Sequence, residues 1–230
     1  AEDLHQAIWA ITDKTAPPLI SVEEAVRLAT TPRGRPLVLA DIADNPGGGA
    51  PSDSTFILSA FLEAGVQNAA VGLVYDPQAV QLCHKVGPGG ALMLRVGGKL
   101  GPASGAPLDL EAQVIATRRD AAMTFGGTWR FGLGDTAWIH ASGVDVVLCS
   151  RRVQMYDPSG FSHIGLNPAE RAVLVVKSSN HFQAAFEPLA SEIHWVSTPG
   201  AIDFDFARLR YKTLTRPVYP RQDNPFAEGK

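Results

Sequence analysis

The strongest constraint on the fold of this chain is a series of short, uninterrupted apolar segments. Three of them lie at residues 37–40, 69–74 and 172–176. A run of four to six apolar residues without polar alternation is typical of a strand that is buried on both faces. Helical spacing of apolar residues follows the first two runs, at 55–64 and 77–85. This alternation predicts an α/β fold with parallel strands and right-handed crossovers.

A different pattern occupies the middle of the chain. No helical pattern separates its predicted strands, so we expect them to pair antiparallel. The α/β pattern then returns with a helix and a last strand. The sequence therefore predicts an α/β fold with a mixed, largely parallel sheet, flanking helices and an antiparallel strand section in the middle. The middle strands are predicted at 91–96, 108–117, 136–140 and 144–149, the later helix at 182–190 and the last strand at 193–196.

The first thirty-three residues resemble a connector more than a domain. Leu4, Ile8 and Ile11 form one apolar stripe of a predicted helix. Ser21 and Glu24 have the spacing of a capping box at the start of a second helix. We expect residues 1–33 to form a helical connector from a preceding domain and residues 34–230 to form the α/β domain.

Composition excludes several classes of partner. Hydrophobic residues make up 45% of the 230 residues and the formal net charge is -3, so the chain has no basic excess that would attract nucleic acid or an anionic membrane. No apolar run approaches the ~20 residues of a membrane span, and the N-terminus lacks the pattern of a signal peptide. We expect a soluble, cytoplasmic protein in which Cys83 and Cys149 are reduced, buried thiols.

The densest group of polar residues lies between the first buried strand and its helix, at residues 41–55. It contains Asp41, Asp44 and Asn45, followed by three glycines at 47–49. Loops at the carboxyl ends of parallel strands build ligand sites, and consecutive glycines allow backbone N–H groups to point inward. These acids could position a substrate amine or a water molecule. The alternative is a structural loop, in which the Asp44 side chain satisfies backbone donors.

Two further groups follow predicted strands. Ser178 or Ser179 can cap a helix, and His181 lies in its first turn, where a neutral imidazole is favoured. The alternative for His181 is simple packing against its neighbours. Arg151 and Arg152 follow the strand that ends at 149, and could bind a substrate carboxylate, hold Asp41, or form surface ion pairs. The remaining histidines show no metal-ligand spacing, so no metal site is expected in this chain.

Four motifs together resemble the C-terminal domain of the microcystinase C (MlrC) family of bacterial metallopeptidases, which cleave small peptides that include linearised cyanobacterial toxins. They are VLADIADNPGGGAPSDST at 38–55, RVGGKLGPASG at 95–105, GVDVVLCSRR at 143–152 and KSSNHFQAAFEP at 177–188. Ile42 and Ser52 stand where the family pattern has Thr and Gly. The resemblance implies that zinc is bound by an N-terminal domain upstream of residues 1–33, and that this upstream domain is a partner of the chain.

The resemblance implies a function in which this chain completes the active-site cleft of a zinc-dependent peptidase or amidohydrolase and is not catalytic alone. Asp41 or Asp44 would orient a substrate amine or the attacking water, and His181 would donate to the developing oxyanion. The alternatives are a module that binds a small anion through the glycine loop and a structural domain for homo-oligomer formation. The residues expected to contact a peptide substrate are Asn45, Gly47, Gly48, Gly49, Arg151, Arg152 and Ser178.

Overall fold

The structure, a computed structural model, describes residues 1–15, 17–31, 34–207 and 209–226. The helices are α1 (Glu2–Trp9), α2 (Val22–Ala29), α3 (Phe56–Glu63), α4 (Pro77–Val86), α5 (Ser159–Ser162) and α6 (Gln183–Phe186). The strands are β1 (Leu19–Ile20), β2 (Leu37–Asp41), β3 (Ala69–Tyr75), β4 (Ala91–Val96), β5 (Leu108–Phe125), β6 (Trp129–Ala141), β7 (Val144–Cys149), β8 (Val173–Val176) and β9 (Glu192–Val196).

One sheet joins the strands of the described residues, in the order β1-β9-β2-β8-β3-β7-β6-β5-β4. The first six strands of this order pair in parallel, and β7, β6, β5 and β4 pair antiparallel. The predicted α/β class and mixed sheet are therefore confirmed. The antiparallel strands come from the middle of the chain and occupy one side of the sheet.

Burial on both faces explains the uninterrupted apolar runs. Successive side chains of a strand point to opposite faces, so β2 serves two cores. Leu37 and Leu39 pack on the face that carries α2, α3 and α4. Val38 and Ala40 pack on the face that carries α5 and α6. A polar residue at any of these positions would lose hydration without gaining a partner, which is why the run is continuous.

Three elements differ clearly from the sequence prediction in length. β5 extends to Phe125 and β6 begins at Trp129, well beyond the predicted ends at 117 and 136, and the two form one long hairpin. Their pairing contains register shifts between residues 114 and 122, and such bulges interrupt the alternation by which strands are recognised. α6 covers four residues in place of the predicted 182–190, because Pro188 cannot supply a helical N–H.

Part of the segment predicted as a connector belongs to the α/β body. β1 pairs with β9, and Ala25 of α2 is fully buried in the core. Ser21 Oγ accepts a hydrogen bond from the Glu24 N–H at 3.2 Å, as the capping box predicts. In α1, by contrast, the predicted apolar stripe remains exposed, with Leu4 at 65%. The connector was predicted to end at residue 33, and residues 32–33 lie outside the described residues.

Candidate functional site

Three polar segments meet at the carboxyl edge of the parallel strands. They follow β2, β8 and β7, which run in the same direction. Asn45 Nδ2 donates to Ser179 Oγ at 2.8 Å, and this bond joins the first segment to the second. Arg152 Nη1 donates to the Ala50 carbonyl at 3.1 Å and joins the third segment to the first. The glycine loop, the arginines and the 178–181 segment therefore lie at one edge of the sheet.

A buried lysine lies at the centre of this edge. Lys177 follows β8 and its side chain is 1% exposed. Its Nζ lies 3.0 Å from Asp41 Oδ2 and 2.7 Å from Asp44 Oδ2, and it also donates to the Ser54 carbonyl at 3.0 Å. The three side chains form a buried charge cluster, which we call the Lys177 triad. Asp41 is thus held by Lys177 and not by Arg151 or Arg152.

Every carboxylate oxygen of the triad accepts a further hydrogen bond. Asp44 Oδ1 and Oδ2 accept from the N–H groups of Ser52 and Ser54, both at 2.7 Å. Asp41 Oδ1 accepts from Thr198 Oγ1 at 2.9 Å, and its Oδ2 accepts from Ser54 Oγ at 2.8 Å. Asp41 and Asp44 are 1% and 0% exposed. These contacts match the structural alternative for the loop acids, because neither carboxylate has a face open to a substrate.

Burial and neighbouring charges shift the protonation equilibria of the triad. Burial raises the pKa of Asp44; the Lys177 ammonium opposes this rise, and the Asp41 carboxylate adds to it. Burial alone would lower the pKa of Lys177, but the two carboxylates outweigh it and raise the pKa above its ordinary value. Lys177 is therefore a cation at neutral pH, and its charge holds two strand ends together.

The glycine loop is closed by its own hydrogen bonds. The backbone N–H groups of residues 47–50 all donate within the loop, to Asn45 or Pro46, at 2.9–3.2 Å. Gly49 has φ +98°, a left-handed conformation that favours glycine. Because the N–H groups are already engaged, the loop does not offer the inward-pointing donors that an anion cradle requires.

His181 is an exposed imidazole beside the glycine loop. Its Nδ1 lies 3.4 Å from Nε2 of Gln154, a buried amide that also donates to Ser178 Oγ at 2.7 Å. The rings of Tyr156 and Phe125 lie 5.9 and 6.2 Å from the imidazole centroid. The sequence prediction did not include Gln154, Tyr156 or Phe125. Gln154 and Tyr156 follow β7 at the same edge, and this position is the only signal that could have indicated them.

The predicted site residues divide into two groups by exposure. The exposed group faces solvent at the carboxyl edge and can meet another molecule there. The buried group holds the edge together through hydrogen bonds and charge. The exposed residues are Gly47, Gly48, Gly49, Arg151, Arg152 and His181; the buried residues are Asp41, Asp44, Asn45 and Ser178.

A second, partly buried ion pair explains the RVGGK motif. Lys99 Nζ lies 2.7 Å from Asp76 Oδ2, and the Lys99 side chain is 24% exposed. Asp76 Oδ2 also accepts from the Gly97 N–H at 3.0 Å, and Asp53 Oδ2 accepts from the Lys99 N–H at 2.7 Å. The motif therefore fixes the loop after β4 against the loop after β2.

Metal ligands do not converge in the described part of the chain, where no group of three or more His, Cys, Asp or Glu side chains could hold an ion. The acids at the carboxyl edge do not fit a zinc site, because Lys177 and backbone donors occupy their oxygens.

Among the residues that the structure describes, no helix is long and apolar enough to cross a membrane.

The fold and its edge define a class of protein, an α/β domain whose loops at the carboxyl ends of parallel strands carry exposed polar groups. A family model described as MlrC C-terminus matches residues 39–213, and the chain belongs to this family. It is 31% identical over 216 residues to Microcystinase C from Sphingomonas sp., an alignment that covers 94% of this chain and 41% of that protein.

A solved structure supports the same relationship. The crystal structure of a candidate metallopeptidase from Mesorhizobium sp. BNC1 superposes with a TM-score of 0.81 at 28% sequence identity. The match covers 95% of this chain and 44% of that one. The chain therefore spans less than half the length of both relatives.

Proposed function

We propose that this chain is the C-terminal part of a zinc-dependent peptidase or amidohydrolase that acts on small peptides. In this proposal the zinc is bound by an upstream domain, and the carboxyl edge of the present sheet completes the active-site cleft. The chain is then not catalytic alone. Support comes from the metallopeptidase-like relatives, each more than twice as long as the matched region.

The observation that carries the proposal is the composition of the carboxyl edge. It exposes an imidazole, a glycine loop and a guanidinium, yet the described residues contain no group of metal ligands. Such an edge can bind and orient a peptide but cannot activate water through a metal of its own. His181 would donate to the developing oxyanion, and Arg151 would bind a substrate carboxylate.

The geometry changes the role proposed for the two loop acids. Asp41 and Asp44 are buried and bound to Lys177, so we assign them to positioning the glycine loop and not to contact with the substrate. Arg152 has a similar role, since it donates to the carbonyl groups of Gly49 and Ala50. The anion-binding alternative loses its physical basis, because the N–H groups of the loop are engaged.

Metal content and turnover test the proposal. The longer protein that carries this chain and the chain alone should be purified, dialysed and analysed for zinc by elemental analysis, then assayed with short linear peptides. We expect stoichiometric zinc and hydrolysis only for the longer protein. Stoichiometric zinc in the isolated chain would contradict the proposal that the upstream domain binds the metal. Sedimentation of the chain would test the homo-oligomer alternative.

A single substitution tests the contribution of the edge. In the longer protein, His181→Ala should lower turnover by roughly 10²-fold, the loss typical of one oxyanion donor. His140→Ala is the matched control, because His140 contacts Asp145 at the opposite end of the parallel strands. Equal turnover of the parent and the His181 variant would show that this imidazole does not act in the reaction.

A further inference from the structure

Gln154 is a buried amide that contacts two of the sequence motifs at once. It is 3% exposed and lies in the segment that follows β7. Its Nε2 donates to Ser178 Oγ at 2.7 Å. On its other side, Oε1 lies against Gly47, where an added Cβ would come within 2.1 Å of this oxygen. The amide is therefore confined between the glycine loop and the segment that carries His181.

The hydrogen bond between Gln154 and His181 has a defined donor and a defined acceptor. Nε2 of Gln154 lies 3.4 Å from His181 Nδ1, and an amide nitrogen can only donate. Nδ1 must then be the acceptor, and the single ring proton of a neutral imidazole is left on Nε2. The Phe125 ring meets the imidazole edge-on, at an interplanar angle of 83°.

We propose that Gln154 is a positioning residue that fixes His181 as the Nε2–H tautomer and couples this tautomer to the glycine loop. The donor N–H then points away from the buried amide, toward the exposed side of the edge. The glycine loop takes part in this arrangement, since the Gln154 amide packs against Gly47. The effect on turnover rests on the proposed function, whereas the tautomer is a property of this chain alone.

Nitrogen NMR of the histidine-labelled chain tests the tautomer directly. The ¹⁵N chemical shifts distinguish a protonated from a bare ring nitrogen, and His181→Gln identifies the resonances. At alkaline pH we expect a bare Nδ1 and a protonated Nε2 in the parent. Gln154→Glu replaces the donor by an acceptor, so we expect Nδ1 to become protonated. Gln183→Glu is the control, because it places the same charge on an exposed residue two positions from His181.

The outcomes separate this inference from the proposed function. A protonated Nδ1 in the parent, or the same tautomer in parent and Gln154→Glu, would overturn it. Gly47→Ala provides a second variant, which should shift the His181 resonances through the displaced amide while circular dichroism stays unchanged. In the longer protein, Gln154→Met should lower kcat by roughly 10–100-fold at similar KM, as for loss of a partner that orients a functional histidine. If the ring proton moves from Nε2 to Nδ1 in Gln154→Glu as expected, but the longer protein has no peptidase activity, the proposed function is refuted and the positioning role of Gln154 remains.

Discussion

Removal of the buried lysine is the sharpest test of how this edge is built. Lys177→Met keeps a long unbranched side chain of similar length but removes the ammonium. The substitution leaves two carboxylates, Asp41 and Asp44, facing each other without a cation at 1% and 0% exposure. Neither carboxylate can turn to solvent, because backbone and hydroxyl donors fix both of them.

The expected loss of stability follows from this geometry. Breaking a buried ion pair by removing one partner costs about 3–5 kcal/mol, because the remaining charge stays desolvated. Here two carboxylates remain, so we expect the upper part of this range. For a chain of this length each kcal/mol corresponds to roughly 2–4 °C in Tm, so a loss of about 4–5 kcal/mol gives a decrease of roughly 8–20 °C. Urea denaturation should show the same loss as a lower midpoint at unchanged slope.

Two comparisons make the result specific to the triad. Lys99→Met removes another lysine with a buried acidic partner, but Lys99 is 24% exposed, so water can reach this site and the loss should be smaller. The triple variant Lys177→Met/Asp41→Asn/Asp44→Asn removes all three charges and should recover part of the stability lost in Lys177→Met. A Tm for Lys177→Met within about 2 °C of the parent, by the same conversion, would refute the charge-cluster account.

Three other predictions concern the same region. Stability should fall as pH rises through the raised pKa of Lys177. The contribution of this group to stability is complete below its pKa in the unfolded chain, ~10.4, and is lost at higher pH. Thermal melts between pH 9 and 12 should therefore show a steeper decline of Tm for the parent than for Lys177→Met. Asp44→Asn should lower Tm, while the folded longer protein should keep its specific activity. An unchanged Tm together with a loss of specific activity would restore a direct chemical role for Asp44. Cys83 and Cys149, whose pKa values burial raises to about 11 and about 12, should resist thiol reagents until the chain unfolds; rapid labelling at neutral pH would contradict their burial.

Continuous apolar runs allowed the parallel part of the fold to be predicted from the sequence. In β2 and β8 the hydrophobic effect acts on both faces, so the sequence permits few other structures. The long β5–β6 hairpin was predicted only in part, because its bulges change which residues point inward. β1 has two residues, and its pairing with β9 depends on a strand more than 170 residues later. Local patterns carry no information about such a partner.

The carboxyl edge shows the same limit for function. Strand ends indicated where polar residues would meet, since parallel strands bring their carboxyl ends together. The role of each acid depended instead on Lys177, which is 136 residues from Asp41 in sequence and 3.0 Å away in space. Lysine at the end of a strand is ordinarily exposed, and the sequence contains no sign that this one is buried. The sequence therefore leaves the acids open between a free group that positions a substrate and a bound group of a structural loop, whereas in the structure Lys177 neutralises their charge in part.

The buried charge also explains how a loop rich in glycine can hold one conformation. Glycines at 47–49 have no side chains that could anchor the loop by packing, and each of them gains freedom in the unfolded chain. Directional bonds replace the packing: Asp44 fixes the backbone of Ser52 and Ser54 beyond the loop, and Lys177 ties Asp44 to the neighbouring strand. Asn45 closes the loop from within. The polar residues that look catalytic in the sequence thus supply the rigidity of the edge at which the glycines and His181 are exposed.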